Sequence, residues 1–353
     1  MDPSGLIPVA DTIPTHWGWF YFFLLLTFIL HLLLMNVMLG SGIISLVKHI
    51  RKGGSASCPV CKDISLKLPY KIAFTINFGV APLLFLQVLY GQFIYVSSIM
   101  MAVYWLSVVG ILVIMYYSAY IYDFKYDQWP NLRIYFVGLM VALALIIAFF
   151  FSNNMTLMLS PEKWTGFFDN RSGTMLNLSD PTLIPRYLHF VVASIAVGGL
   201  FMAITWKFKQ SPKAAEYIEE GMKWFSYATL AQIVIGIWFL ISLPQDIMLL
   251  FMGGKALNTA IFLLGLSGVA MILVFSFKKM VWATTAGLVM TIIFMVLMRD
   301  MVRSAYLGGY YHPSERVVVP EYAPLFIFLV VFVIGIGAVF YMLKLAFEAG
   351  KEA

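Results

Sequence analysis

The sequence predicts an all-α fold: a polytopic transmembrane bundle of about nine helices. Three observations carry this. Hydrophobic residues make up 61% of the 353-residue chain and charged residues only 11%; the apolar stretches are uninterrupted rather than alternating; and the basic residues collect in every second loop. So little charge cannot clothe a water-facing surface, which makes lipid the solvent. Apolar runs of about 20 residues cross the hydrocarbon as helices, whereas barrel strands would alternate polar and apolar positions.

Taken in order, the spans are expected at 17–47, 72–96, 99–122, 134–153, 184–206, 224–243, 257–277, 281–299 and 323–346. Residues 1–14 carry Asp2 and Asp11 but no Lys or Arg, and the apolar run that follows outlasts a signal-peptide core, so it is expected to be retained as the first span. Sixteen of the twenty-three Lys and Arg fall in the loops after odd-numbered spans and at the C-terminal end, among them Lys48, Lys62, Lys67, Lys71, Lys207, Lys209, Lys279 and Lys344. The remainder, Lys163, Arg171, Arg186, Lys255, Arg299, Arg303 and Arg316, lie on the other side. The positive-inside rule then puts the N-terminus outside and the C-terminus in the cytoplasm, which requires an odd number of spans. The net charge of +6 is thus explained by topology, and no nucleic-acid partner is expected.

The whole of 1–353 is expected to form one transmembrane domain, with helices 1–4 and 5–9 as two sub-bundles. Two longer polar segments, 153–185 and 299–324, are expected to fold over the membrane surface as extracytoplasmic caps, where an external partner would dock. The loop 48–71 contains Gly53, Gly54, Ser55 and Ser57 ahead of Cys58-Pro59-Val60-Cys61, a flexible turn carrying a dithiol. The sequence has no CxxCH, so covalent c-type haem is excluded by that signature. A single CxxC can be a redox pair or half a zinc site, but no second CxxC occurs and His49 is the only nearby imidazole, so chance or a local structural role is the alternative. No Walker, Rossmann or protease motif occurs.

The chemistry therefore rests on polar groups inside the spans. No Asp or Glu falls within the expected span bodies, but two histidines do: His31, midway along the first, and His189, just inside the fifth. A titratable group in the bilayer is costly and marks function by default, and imidazole is the usual axial ligand of a b-type haem. From His189 a flat stripe continues through Ala193, Ala196 and Gly199, along which a porphyrin could lie; His31 is followed by Met35, Met38, Gly40 and Gly42. The alternative for both is close helix packing around a hydrogen-bonded histidine. His312 is a further candidate ligand or docking residue, and otherwise a solvated one. Arg171, Arg186, Arg299 and Arg303 could pair haem propionates, with interfacial anchoring as the alternative. Trp17, Trp19, Trp164, Tyr310 and Tyr311 would suit a quinone site or an ordinary aromatic belt.

The order of these features resembles subunit I of cytochrome bd quinol oxidase. The likeness rests on His31 to Gly40, on Ile76-Asn77-Phe78-Gly79-Val80, on Asn153-Asn154-Met155 with Ser160-Pro161, and on Tyr187-Leu188-His189-Phe190-Val191-Val192-Ala193-Ser194, and it covers about residues 16–225. It implies that His31 and His189 ligate one or two b haems, that Met248 or Met252 serves as partner ligand to His189, and that the protein sits in a bacterial or archaeal cytoplasmic membrane. The departures are equally plain. The family's large quinol loop is reduced to 243–257, and its carboxylates on the third and late helices have no counterpart in 98–122 or 281–298. Oxygen reduction needs protons conducted to a buried site, so the resemblance points to a non-oxidase relative. The expected function is a membrane cytochrome b exchanging electrons between quinone and a periplasmic redox partner such as a c-type cytochrome. An oxygen reductase and a haem-free anchor or transporter subunit are the alternatives.

Overall fold

The computed structural model describes residues 3–51 and 58–352; Asp2 and the glycine-serine turn 53–57 lie outside the described residues. Among the described residues, nine helices are long and apolar enough to cross a membrane, and the chain is an all-α, multi-pass membrane protein. They are α1 (Trp17–Arg51), α2 (Pro59–Met100), α3 (Ala102–Phe124), α4 (Arg133–Met158), α5 (Leu183–Lys207), α6 (Ala214–Ile241), α7 (Ala256–Phe277), α8 (Val281–Leu307) and α9 (Ala323–Glu352). A short helix, Gln245–Leu249, and a π turn, Leu250–Gly254, join α6 to α7. The end holding the starts of α1 and α5 is called the cap end below, and the opposite end the basic end.

The helices α1 to α4 pack on one another; α5, α6, α7 and α8 make a second group, and α1 against α5 joins the two. Every described side chain of α9 from Ala323 to Leu345 is exposed. At the cap end the chain covers itself. Ile13 exchanges backbone hydrogen bonds with Val317 and Val319, both 2.9 Å, and Met100 and Val103 bond Met175 and Gly173 of the 159–182 segment.

Two boundaries differ from the sequence expectation, and both matter for function. Helix α2 starts thirteen residues earlier than 72 because Cys58 caps it: its Sγ accepts the Cys61 N–H at 3.2 Å, and Pro59 occupies the first turn, where a missing N–H costs nothing. The residues expected as a loop dithiol are a buried Cys58–Cys61 disulfide. Helix α8 runs on past 299 to Leu307, so Arg299, Asp300 and Arg303 belong to its body. The expectation that the spans contain no acid is therefore corrected: Asp300 is buried at 5% exposure in α8. It is tolerated there because it is ion-paired and hydrogen-bonded. The caps correspondingly shrink to 159–182 and 308–322.

Candidate functional site

The site is organised by the contact of α1 with α5. A Cβ on Gly40 would overlap the Ser194 carbonyl oxygen and lie 3.0 Å from the Gly198 Cα, so the two backbones touch there, as glycine alone permits. One turn toward the cap end, Ser194 Oγ donates to Asn36 Oδ1 at 2.8 Å. These contacts run in the same order along both helices, so the helices are parallel, and two of the pairs, Asn36 with Ser194 and Gly40 with Gly198, are each 158 residues apart. His31 and His189 are separated by the same 158 and therefore lie at the same depth.

They do not face each other. Each histidine precedes its seam glycine by nine residues, about two and a half turns, which turns it to the opposite side of its own helix. His31 reaches α2: its Nδ1 is 3.1 Å from the Thr75 carbonyl oxygen, and its ring lies against Gly79, where a Cβ would come 2.7 Å from Cε1. His189 reaches α6: its ring sits beside Gly236, at 3.4 Å from the Cβ position, and 6.5 Å from the centre of Phe239. Its Nδ1 is buried with no hydrogen-bond partner among the described residues. Each imidazole thus meets a glycine on the adjacent helix, and the two form separate half-sites on either side of the seam.

Between these half-sites and the cap end lies an arginine cluster. Arg186, one turn before His189, stacks over Phe239 at 5.1 Å, and its Nε is buried without a hydrogen-bond partner among the described residues. Arg299 stacks over Phe28 at 4.3 Å, and Arg303 over Tyr90 at 4.6 Å. Asp300 pairs with Arg303 and accepts a hydrogen bond from the Tyr21 hydroxyl. Arg299 is within electrostatic reach of Arg186, Arg303 and Asp300, and its charge also acts on His31. Asp180 acts on Arg186 as Asp300 does on Arg299 and Arg303, so three guanidiniums face two carboxylates and positive charge remains in excess. A narrow cleft beside Arg299, Asp300 and Arg303 is walled by Leu24, Leu25, Phe28 and Val296.

The other sequence candidates fall elsewhere. Met248 packs against the apolar cluster of Leu243, Ile247, Phe251 and Val302. Met252 is 58% exposed in the π turn, and neither methionine sulfur is bonded to His189 Nδ1. His312 is exposed and caps the turn Pro313–Glu315, its Nδ1 2.7 Å from Ser314 Oγ. Trp164 donates its indole N–H to the Leu157 carbonyl at 2.9 Å, and Tyr311 its hydroxyl to the Leu89 carbonyl at 3.0 Å, so both hold the cap end together.

The stripe Ala193, Ala196 and Gly199 does not lie open for a porphyrin. It is the α5–α6 seam: a Cβ on Gly199 would be 2.7 Å from the Gly221 carbonyl oxygen and 2.9 Å from the Phe225 nitrogen. Gly40 and Gly42, expected beside His31, instead meet Gly198 on α5 and Met140 on α4. Small residues let helices approach closely, and that approach has consumed the flat surface.

Sequence reasoning named Arg303 but missed its pairing with Asp300, although an Asp three residues before an Arg is a readable helical pair. It also missed a stripe at the basic end, Asp63, Lys67 and Lys71, whose spacing of four marks one helix face. Among the described residues no three His, Cys, Asp or Glu side chains gather into a metal-ion site. In comparison with known proteins the chain matches no family model, no curated protein and no solved structure. What fold and site define is a class, a multi-pass membrane protein with two buried imidazoles at one depth beside an arginine cluster.

Proposed function

We propose that the chain is a b-type cytochrome subunit that passes electrons between the membrane quinone pool and a periplasmic redox partner, such as a c-type cytochrome. In this reading it belongs to a respiratory complex of a bacterial or archaeal cytoplasmic membrane, with its N-terminus outside. One observation carries the proposal: two imidazoles at equal depth on parallel helices, beside three arginines that outnumber the nearby carboxylates.

The donor set suits haem. The Thr75 carbonyl can take an Nδ1 proton from His31, which leaves the Nε2 lone pair for iron, and His189 has no protein partner at Nδ1. Since the rings point to opposite sides of the seam, each would serve its own haem. Arg186, Arg299 and Arg303 would hold propionates, and among the described residues the Nε of Arg186 and of Arg303 has no hydrogen-bond partner. The haem, when bound, supplies one-electron transfer; the chain supplies ligands, charge and an apolar medium that tune it. The exposed aromatic residues of the cap end, such as Trp19 at 60% and Tyr310 at 38%, suit contact with quinone.

Two observations support other readings. The His31 ring is hydrogen-bonded to a backbone carbonyl and packed against Gly79, as in a haem-free anchor or transporter subunit. Buried Asp300 weakens the objection to an oxygen reductase, that the spans hold no acid. One set of measurements separates the three: a pyridine haemochrome and reduced-minus-oxidised spectrum on purified protein and on His31→Ala and His189→Ala, with quinol-driven oxygen uptake. The proposal expects b haem in the wild type, partial loss in each variant and no oxygen uptake. Full haem in both variants refutes the ligand assignment, and no Soret band in the wild type refutes haem altogether.

A further inference from the structure

We propose that a cleft between α1, α2 and α5 at the basic end binds the phosphate headgroup of an anionic phospholipid, with Lys71 as the principal ligand. The cleft is lined by Ser41, Asp63, Lys71, Phe201, Thr205 and Trp206, among others. Lys71 donates to Ser41 Oγ at 2.9 Å, and its ammonium stands 4.5 Å over the Phe201 ring. Ser41 in turn donates to the Val37 carbonyl at 2.5 Å, so the hydroxyl is held in place to receive the lysine.

The charges around this ammonium do not cancel. Asp63 is the carboxylate of the cleft, and its Oδ1 is already taken by Lys209 at 2.6 Å and Lys67 at 3.0 Å. Lys209 is further fixed over Trp206 at 4.5 Å. Among the described residues no carboxylate oxygen lies within 4.0 Å of Lys71 Nζ. Three ammonium groups therefore face one carboxylate, and Lys71 has donors to spare beside Thr205 and an aromatic wall.

Lys71 also stands where the charged start of α2 gives way to its apolar run, the level at which a headgroup lies. Basic pockets between transmembrane helices at the positive side recognise anionic headgroups in this manner. A phosphodiester oxygen would accept from Lys71 while the acyl chains follow the apolar helix surfaces. A zwitterionic lipid brings its own cation to the same place and is disfavoured.

The test uses the full-length protein purified in mild detergent, with native mass spectrometry reading lipid binding. Phosphatidylglycerol is expected to stay bound and phosphatidylcholine to wash away. Lys71→Gln should weaken phosphatidylglycerol about fivefold, the factor matching the ~1 kcal/mol that one juxtamembrane lysine contributes. Lys71→Arg should retain most binding, and Lys279→Gln, an exposed basic-end lysine paired with Glu219, should change nothing. Should Lys71→Gln not fold, peptide mapping of wild-type protein after acetylation serves instead, with Lys71 slowed by phosphatidylglycerol and not by phosphatidylcholine. Equal binding by Lys71→Gln, equal loss in Lys279→Gln, or equal protection by phosphatidylcholine would overturn the proposal. Inorganic phosphate alone raising the melting temperature as much as the lipid would overturn it in favour of a free-anion site.

Discussion

Replacing Gly40 with alanine tests the register on which the matched histidine depths rest. The new Cβ would overlap the Ser194 carbonyl oxygen and stand 2.6 Å from its carbon. Ordinary contact needs about 3.4 Å or more, so α1 and α5 must part by roughly 1.5 Å. Overpacking of this kind costs about 1–3 kcal/mol. Parting the helices also stretches the Ser194 to Asn36 hydrogen bond, worth about 0.5–1.5 kcal/mol. Alanine returns about 0.5–1 kcal/mol through helix propensity, which leaves a net loss of about 0.5–4 kcal/mol. Gly110 on α3 is the matched control, because a Cβ there meets nothing within 4 Å and alanine should be neutral or mildly stabilising. Unfolding in mixed micelles by denaturing-detergent titration reads both variants. The two should move in opposite directions. Equal stability would mean that α1 and α5 do not touch at Gly40, and the equal depth of His31 and His189 would go with it.

Two further substitutions address the half-sites and the arginine cluster. Gly79→Ala puts a Cβ 2.7 Å from His31 Cε1, so the ring must turn away from Thr75, whereas Gly236→Ala leaves an ordinary 3.4 Å contact to His189; b-haem content per protein should fall in the first and hold in the second, and equal behaviour would remove His31 from Gly79. Asp300→Ala strands the buried Arg303 charge and the Tyr21 hydroxyl and should cost about 3–5 kcal/mol. Asp300→Asn keeps an acceptor for Tyr21 and should cost less; thermal melts of the two variants check the order, and wild-type stability in Asp300→Ala would refute the pairing.

The nine spans were legible because each is a long run in which apolar side chains face lipid or one another, a property of composition alone. Their ends were less legible wherever charge entered a helix. The start of α2 reads as a basic loop, yet Lys67 and Lys209 both bond Asp63 and Cys58 caps the first turn, so the charges are satisfied while the backbone stays helical. The last turns of α8 read as a cap segment for the same reason. Arg299 and Arg303 look like interfacial anchors until Phe28 and Tyr90, from other helices, supply aromatic faces and Asp300 supplies a counter-charge.

The candidate site divides along the same line. From the sequence alone come two histidines within apolar spans, small residues following each, and the arginines near them; these are local features of single helices. Only the tertiary structure decided that the glycines form the seam and the imidazoles turn away from it, that α6 fills the flat stripe below His189, and that Asp300 lies among the arginines. The physical reason is that helical periodicity fixes which residues share a face, while the partner of that face is chosen by packing and charge satisfaction between segments far apart in the chain.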